Sequence, residues 1–492
     1  MLTKKLPWLA DRGVWVIVSL AIAAAAGLVA VFAQGNLGQF WVLLLALPMV
    51  VAVLPLAVRR PEPWLFSILV LCLPFSARFR FGAAEFHLGG AEAAVAMIDF
   101  PLLALFVLYL LEDLKNRRLL FFNGTVERRL LLFALVSSFS IFNAVAPSFT
   151  ILEIGRLLKM LALIYCVKRF IRSRREVNLV FYLLVFNVVS QSLLGLAQLA
   201  LGRSLGLFFL GEADALWIDD AVAGTVSRVG GTLGHANALA QFLEMLLPVL
   251  LSLLMARRLS SQKRLLSLAA FLPGLVALLF TFSRSAWGAM LAAAFLVLVY
   301  HFRHLRFSVR QIVAIGAGGL ASLAALVVFW DPIYRRLTAS SSSSFTFRQY
   351  LIIIATNMIR DHPWVGIGLN NFVLIMANYD TIGLTERRVA PVHNIYYLTA
   401  AEAGIFGLLA FLWLLLGIFS EGWHVLKSDD AFLSSLTAGI LAGLVAMLVH
   451  SFLGWGWRYD VIHTAFWFLV GYVLSIKRVS FRQKTFQGAS AC

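Results

Sequence analysis

Apolar and polar positions alternate along this chain on the scale of whole segments. Apolar runs near residues 14–33, 39–57, 64–76, 97–112, 130–146, 150–167, 177–201, 235–256, 266–282, 285–302, 311–330, 396–419, 431–453 and 461–476 each read as a membrane-crossing helix. That makes roughly fourteen spans, with the 64–76 run the weakest because about twelve apolar residues barely cross. The longest polar interruption begins near Asp331. The expected organisation is therefore a helical region over 1–330 with an outer loop at 202–234, a large polar loop over 331–395, and a last helical region with its tail over 396–492. The fold class this implies is an all-α polytopic membrane protein.

Within the polar loop, the serine run Ser340–Ser344 is too polar for a buried helix. Thr346-Phe347-Arg348-Gln349 then reads as a capping box, which starts a helix at Thr346. The body of that helix, Tyr350 to Arg360, is apolar but too short to cross, so it is expected along the membrane surface until Asp361-His362-Pro363 ends it. Turn-forming Gly366-Ile367-Gly368-Leu369-Asn370-Asn371-Phe372 follows. Val392-His393-Asn394 precedes the next apolar run, inside which Glu402, Gly404 and Gly407 are spaced as Glu-x-Gly-x-x-Gly.

Composition agrees with the pattern: 61% of the 492 residues are hydrophobic and the mean hydropathy is +0.88. Three cysteines, two of them in apolar runs, indicate neither a disulfide framework nor a thiolate metal site. A net charge of +17 would suit nucleic acid, but no soluble basic domain carries it. Its placement reports topology instead. Alternating from a cytoplasmic N-terminus puts Arg59-Arg60, Lys115–Arg118, Arg128-Arg129, Lys168–Arg175, Arg257–Arg264, Arg303–Arg310 and Lys477–Lys484 all inside, with both termini cytoplasmic. The first apolar run is long for a signal peptide, so an uncleaved span is expected. Trp330, Trp364, Trp455 and Trp457 then fall at outer span ends, as an interfacial belt would.

An outer location for the polar loop limits its chemistry. No nucleotide pool exists outside a bacterial cytoplasmic membrane and no P-loop is present, so an activated donor should arrive attached to lipid. Arg228, Arg284 and Arg348 depart from the cytoplasmic pattern and share the outer face. Each reads alone as a headgroup or snorkelling arginine; together, near a histidine, their rigid forks suit phosphate oxygens. Glu153, Arg156 and Lys159 lie on one face of the 150–167 run, with Lys159 about 9 Å or more below the outer mouth. They serve either a wet cavity or a helix-locking ion pair. Polar stripes Asn187, Gln191, Gln198 and Asn237, Gln241, Glu244 line that cavity or bond helix to helix. His393 is the leading histidine, with His235 its rival. Glu212, Asp214 and Asp219-Asp220 offer oxygen ligands for Mg or Mn, but acidic loops of this kind are commonly just solvated, and no metal site is expected.

Taken in order, Phe347-Arg348-Gln349, Met358 to Phe372, His393-Asn394-Ile395-Tyr396 and Glu402-x-Gly404-x-x-Gly407 resemble the signature of the bacterial O-antigen ligase and polymerase family. Gly231-Thr-Leu-Gly-His-Ala-Asn237 and Thr281-Phe-Ser-Arg284-Ser-Ala-Trp287 resemble two upstream segments of it. The resemblance covers about 225–420. It implies a GT-C-like glycosyltransferase of the bacterial inner membrane, acting at the periplasmic face without metal or cofactor. It also implies that glycan moves from undecaprenyl diphosphate, with inversion, to a glycan or lipid A-core acceptor, and that His393 is the catalytic base while Arg228 and Arg284 hold the diphosphate. Arg348, Arg156, Lys159, Asn237 and Glu402 are the substrate-binding candidates. The chain departs from the family in its larger number of spans and in having His235 where a small or Asn-like residue is commoner.

Elementary chemistry fits this implication. A diphosphate leaves as a stable anion, so one base and several cations suffice; an imidazole with pKa of about 6.5 accepts the hydroxyl proton near neutrality, and arginines stabilise the departing charge. The competing class is a transporter or flippase of lipid-linked glycan, which many spans and buried charges serve equally well. It calls for midplane contacts and two similar halves, whereas the candidates here crowd at the outer face without an internal repeat. For the topology, cysteine placed at Ser342 is expected to react with a membrane-impermeant reagent added from outside, and cysteine at Ser261 to stay unlabelled. The reverse pattern would invert the orientation.

Overall fold

The computed structural model describes residues 60–80, 94–117, 123–213, 217–220, 224–302, 342–381, 383 and 389–489. The runs at 14–33, 39–57 and 311–330, with Trp330 and Asp214, lie outside the described residues. Each of the remaining apolar runs coincides with a helix. In chain order these are α1 (Glu62–Leu71), α2 (Asp99–Lys115), α3 (Thr125–Ser138), α4 (Pro147–Phe170), α5 (Arg174–Leu201), α6 (Ala236–Met255), α7 (Ser261–Phe280) and α8 (Arg284–Phe302). After the loop helices α9 (Ser342–Asp361) and α10 (Phe372–Ile375) come α11 (Ile395–Leu426), α12 (Ala431–His450) and α13 (Asp460–Ala489). Two small antiparallel hairpins, β1 (Arg78–Arg80) with β2 (Ala94–Ala96) and β3 (Trp217–Asp220) with β4 (Gly224–Ser227), lie in the loops expected outside.

Among the described residues seven helices, α5 to α8 and α11 to α13, are long and apolar enough to cross a membrane. The protein is an all-α polytopic membrane protein. α1 has 10 residues and rises only about 15 Å, so it does not cross by itself. α4 is long enough, but it carries Glu153, Arg156 and Lys159, which only a protein interior tolerates.

The helix ends follow local rules. Ser173 and Glu176 close a capping box on α5, and Asp430 and Asn394 accept from backbone N–H groups that open α12 and α11. α12 lies against α6 at the centre of the bundle because Gly439 and Gly443 bring the two backbones together; a Cβ on Gly443 would sit 2.0 Å from the Met245 carbonyl oxygen. The segments expected to be cytoplasmic meet at one end of the bundle, through Arg174 with Asp430, Lys168 with Glu127 and Lys477 with Glu421.

Two expectations change. α9 opens at Ser342, inside the serine run and upstream of the expected cap at Thr346, because serine costs a helix little in its first turn. Its Leu351, Ile354, Ala355 and Met358 are buried against α11 and the 3-10 turn Met376–Tyr379, so one face packs on protein. Trp457, expected in the interfacial belt, is buried against Phe411, Phe466 and Trp467, because its loop turns inward. Trp364 is exposed, as a belt residue would be.

The feature that positions the outer end is a break in α11. At Gly404 the backbone takes φ 69 and ψ −175, a region essentially reserved for glycine. Into the break fits the segment after α9. Ile405 N–H donates to the Pro363 carbonyl (2.8 Å), while Ile367 and Gly368 N–H donate to the Ala401 and Glu402 carbonyls (2.9 and 3.1 Å). A Cβ on Gly404 would lie 2.1 Å from the Trp364 oxygen, and one on Gly366 would lie 2.4 Å from the Glu402 carbonyl. Gly404→Ala should therefore destabilise the protein by about 1–3 kcal/mol from backbone strain alone. The check is a lowered melting temperature in detergent, measured beside Gly288→Ala, whose added methyl meets nothing within 4 Å.

Candidate active site at the outer end of the bundle

The arginine side of the site is built where the loop before α6 crosses the turn between α7 and α8. Arg228 is buried; its Nε donates to the Thr281 carbonyl at 2.6 Å and its Nη2 to Asn237 Oδ1 at 2.7 Å. Thr281 lies three residues before Arg284, the first residue of α8, so both expected arginines belong to one small region. Asn237 supplies the acceptor that orients Arg228. Gln191 and Gln198 hold the same loop from α5: Gln198 Oε1 accepts from Gly230 and Gly231 N–H, and Gln191 Oε1 accepts from Thr232 N–H. Asn187, Gln191 and Gln198 thus make bonds between elements. Glu244, lower on α6, bonds to His450 of α12.

His393 sits half-buried just before α11. Its Nδ1 donates to the Pro391 carbonyl at 3.1 Å and its Nε2 accepts from the Trp455 indole N–H at 3.1 Å. A ring that donates from Nδ1 and accepts at Nε2 is neutral, with its lone pair on Nε2. Phe347 of α9 meets its edge at 6.0 Å, which places Arg348 next to the residue that touches the histidine.

Aromatic rings connect the two sides. Trp455 lies 5.0 Å from Tyr459, and Tyr459 stacks on His235 at 5.8 Å, beside Arg228. His235 caps α6 by accepting the Asn237 N–H at Nδ1 (3.0 Å). Desolvation of its inward face and the Arg228 guanidinium push its pKa down to about 4, so it keeps the neutral form that the cap requires. Its outer edge is exposed.

Arg156, Lys159 and Glu402 come together with Glu153 and with Asp99, Arg458 and Asp460, which the sequence left unmarked. Arg156 reaches Asp460 at 3.3 Å, Glu153 at 3.4 Å and the Trp457 carbonyl at 2.9 Å. Lys159 bridges Asp99 and Asp460, both at 3.2 Å. Glu402 pairs with Arg458, which also reaches Glu153 at 3.4 Å and Asn370 Oδ1 at 3.5 Å. Its other oxygen accepts from Phe372 N–H at 3.4 Å. The locking ion pair and the polar network are one object beneath the site. Arg458 and Tyr459 arrive from the α12–α13 loop and Asp460 opens α13; their sequence signal was a charged, aromatic segment in a short loop expected outside. In the acidic loop, Glu212 is buried and accepts from Gln198 and from the backbone of Leu205 and Leu207.

With this geometry in place, the match to known families is specific. Residues 268–412, from within α7 to within α11, match the family model described as O-Antigen ligase. The chain carries an O-antigen ligase domain. The match supports an O-antigen ligase-type membrane enzyme. No curated protein matches the chain. Of the residues described above, Arg284, Arg348, His393 and Glu402 fall inside the ligase domain, while Arg228, His235, Trp455 and Tyr459 reach it from outside. Glu402→Ala should cost about 3–5 kcal/mol, because it leaves the Arg458 charge buried without its principal partner. Thermal unfolding in detergent checks this, and an unchanged melt would mean that the 363–372 segment is held by other means.

Proposed function

We propose that this O-antigen ligase-type enzyme transfers glycan from undecaprenyl diphosphate to a sugar hydroxyl of a glycan or lipid A-core acceptor, at the periplasmic face of the inner membrane. The observation that carries this reading is the placement of a neutral histidine, with its Nε2 lone pair turned inward, at one end of an aromatic run whose other end meets Arg228. His393 accepts the proton of the attacking hydroxyl at Nε2. For this the Trp455 N–H must give way, and it returns as the charge passes. Arg284 and Arg228 bind the diphosphate and stabilise the negative charge that grows on it as the anomeric bond breaks. Attack from the face opposite the leaving group inverts the anomeric carbon.

Asn237 fixes the fork of Arg228, and Arg348 extends the positive outer rim beside His393. Arg156, Lys159 and Glu402 act through the ion-pair network that holds Asp460, Arg458 and the 363–372 loop in register. The cations that neutralise the diphosphate are thus side chains fixed by the fold, and transfer proceeds without a divalent ion. A polymerase extending one glycan with another uses the same arrangement with a different acceptor.

Kinetics in proteoliposomes test the division of roles. His393→Ala should lower transfer about 10²- to 10⁴-fold while donor binding persists. Arg284→Ala should weaken donor binding as well as turnover, and Arg284→Lys should rescue poorly because a point charge lacks the bidentate fork. Trp455→Phe removes a donor that favours neutral His393, so the pKa of His393 rises and the acid limb of the pH profile moves to higher pH. Wild-type turnover in His393→Ala, or a loss in EDTA that Mg restores, would refute the scheme.

A further inference from the structure

Beyond the aromatic run lies a cavity of about 420 Å³, enclosed by the end of α1, β2, the 208–213 turn, the 233–235 loop and the start of α13. We infer that this cavity is a subsite for a sugar ring of the glycan, a role that rests on the transferase reading above. Its size falls within the range of small-molecule sites, roughly 300–1,000 Å³. Its lining is mixed in the way a pyranose demands. The Tyr459 and His235 rings form one wall, with Phe75 and Phe208 beyond, and offer apolar faces to the C–H side of a sugar. Asp460 and Thr464 offer polar atoms to its hydroxyl edge.

Thr464 carries the argument further. It is 2% exposed, it lines the cavity, and its Oγ1 has no hydrogen-bond partner in the protein. A buried hydroxyl left unpaired is destabilising, a loss that a ligand hydroxyl recovers. Asp460, whose carboxylate Arg156 and Lys159 hold in place, accepts hydrogen bonds that a sugar hydroxyl donates and an ionised diphosphate cannot. A polyprenyl tail fits no better, since it leaves Asp460 and Thr464 unpaired.

The cavity is also in reach of the chemistry. Tyr459, its wall, is 5.0 Å from Trp455, whose indole N–H bonds to His393. A glycan seated here therefore runs past Trp455 to the base, which gives His235 a place at the subsite as well as at the α6 cap. The same sugar chemistry belongs to the growing donor glycan and to the acceptor, and kinetics separate the two.

The test uses full-length protein in proteoliposomes, with lipid-linked glycan and acceptor glycolipid extracted from the source cells and varied independently. Thr464→Val removes the hydroxyl at nearly constant shape, and Ala96→Phe fills the cavity away from His393 and the arginines. Folding is checked by monodispersity and thermal melt. Expected is a KM raised about tenfold by Thr464→Val and more by Ala96→Phe, with kcat for Thr464→Val within a few-fold of wild type. A rise confined to acceptor KM identifies the acceptor glycan, and one confined to donor KM the donor glycan. Active wild type with both KM values unchanged in both folded variants, or a fall in kcat alone, would overturn the subsite. Wild type that transfers nothing would overturn the transferase reading and this inference with it.

Discussion

The break at Gly404 exposes backbone groups of α11 in a part of the protein where water cannot satisfy them, and the segment from Pro363 to Gly368 takes up those bonds. Non-helical backbone at membrane depth is tolerated only when buried in protein in this way. The two glycine-bearing motifs are therefore the halves of one joint. Gly366 and Gly404 are required because carbonyls approach where a Cβ would stand. The Glu402–Arg458 pair clamps the joint from the α12–α13 loop, and that same loop delivers Trp455 and Tyr459 to His393.

Charge is used in two distinct ways at this end of the molecule. Beneath the site, Glu153, Arg156, Lys159, Asp99, Asp460, Arg458 and Glu402 neutralise one another in a buried network. Removal of a member leaves an uncompensated charge in low dielectric, so the network holds its helices in one arrangement. Arg228, by contrast, is oriented by neutral acceptors, the Thr281 carbonyl and the Asn237 amide oxygen.

A second contrast concerns the histidines. His450 faces Glu244 deep between α12 and α6, and His235 is occupied at Nδ1 by its capping bond. His393 directs its acceptor nitrogen to the Trp455 indole N–H. Position in the chain put His393 first with His235 as its rival; the partner at the acceptor nitrogen, a side-chain indole for one and a backbone N–H for the other, distinguishes them.

The helical, membrane-spanning character of the chain, the helix positions, and the residue types gathered before α11 and between α7 and α8 were legible in sequence, because apolar periodicity, caps and turn residues act within one or two turns of chain. Gly404 could be marked as a motif residue but not as a helix break, since that needs the opposing strand of backbone from Trp364. Likewise Arg156 and Lys159 were readable as buried charges with two open meanings, and Asp460, some three hundred residues away, settles which partners they have. Trp457 and Trp455 look alike two residues apart in one outer loop, yet one fills the core and the other bonds to His393. The sequence by itself determined which described segments form apolar helices and which side chains are capable of chemistry, since those depend on composition over short windows. Only the tertiary structure decided which charges pair with which, because that depends on helix rotation and on contacts between residues distant in the chain.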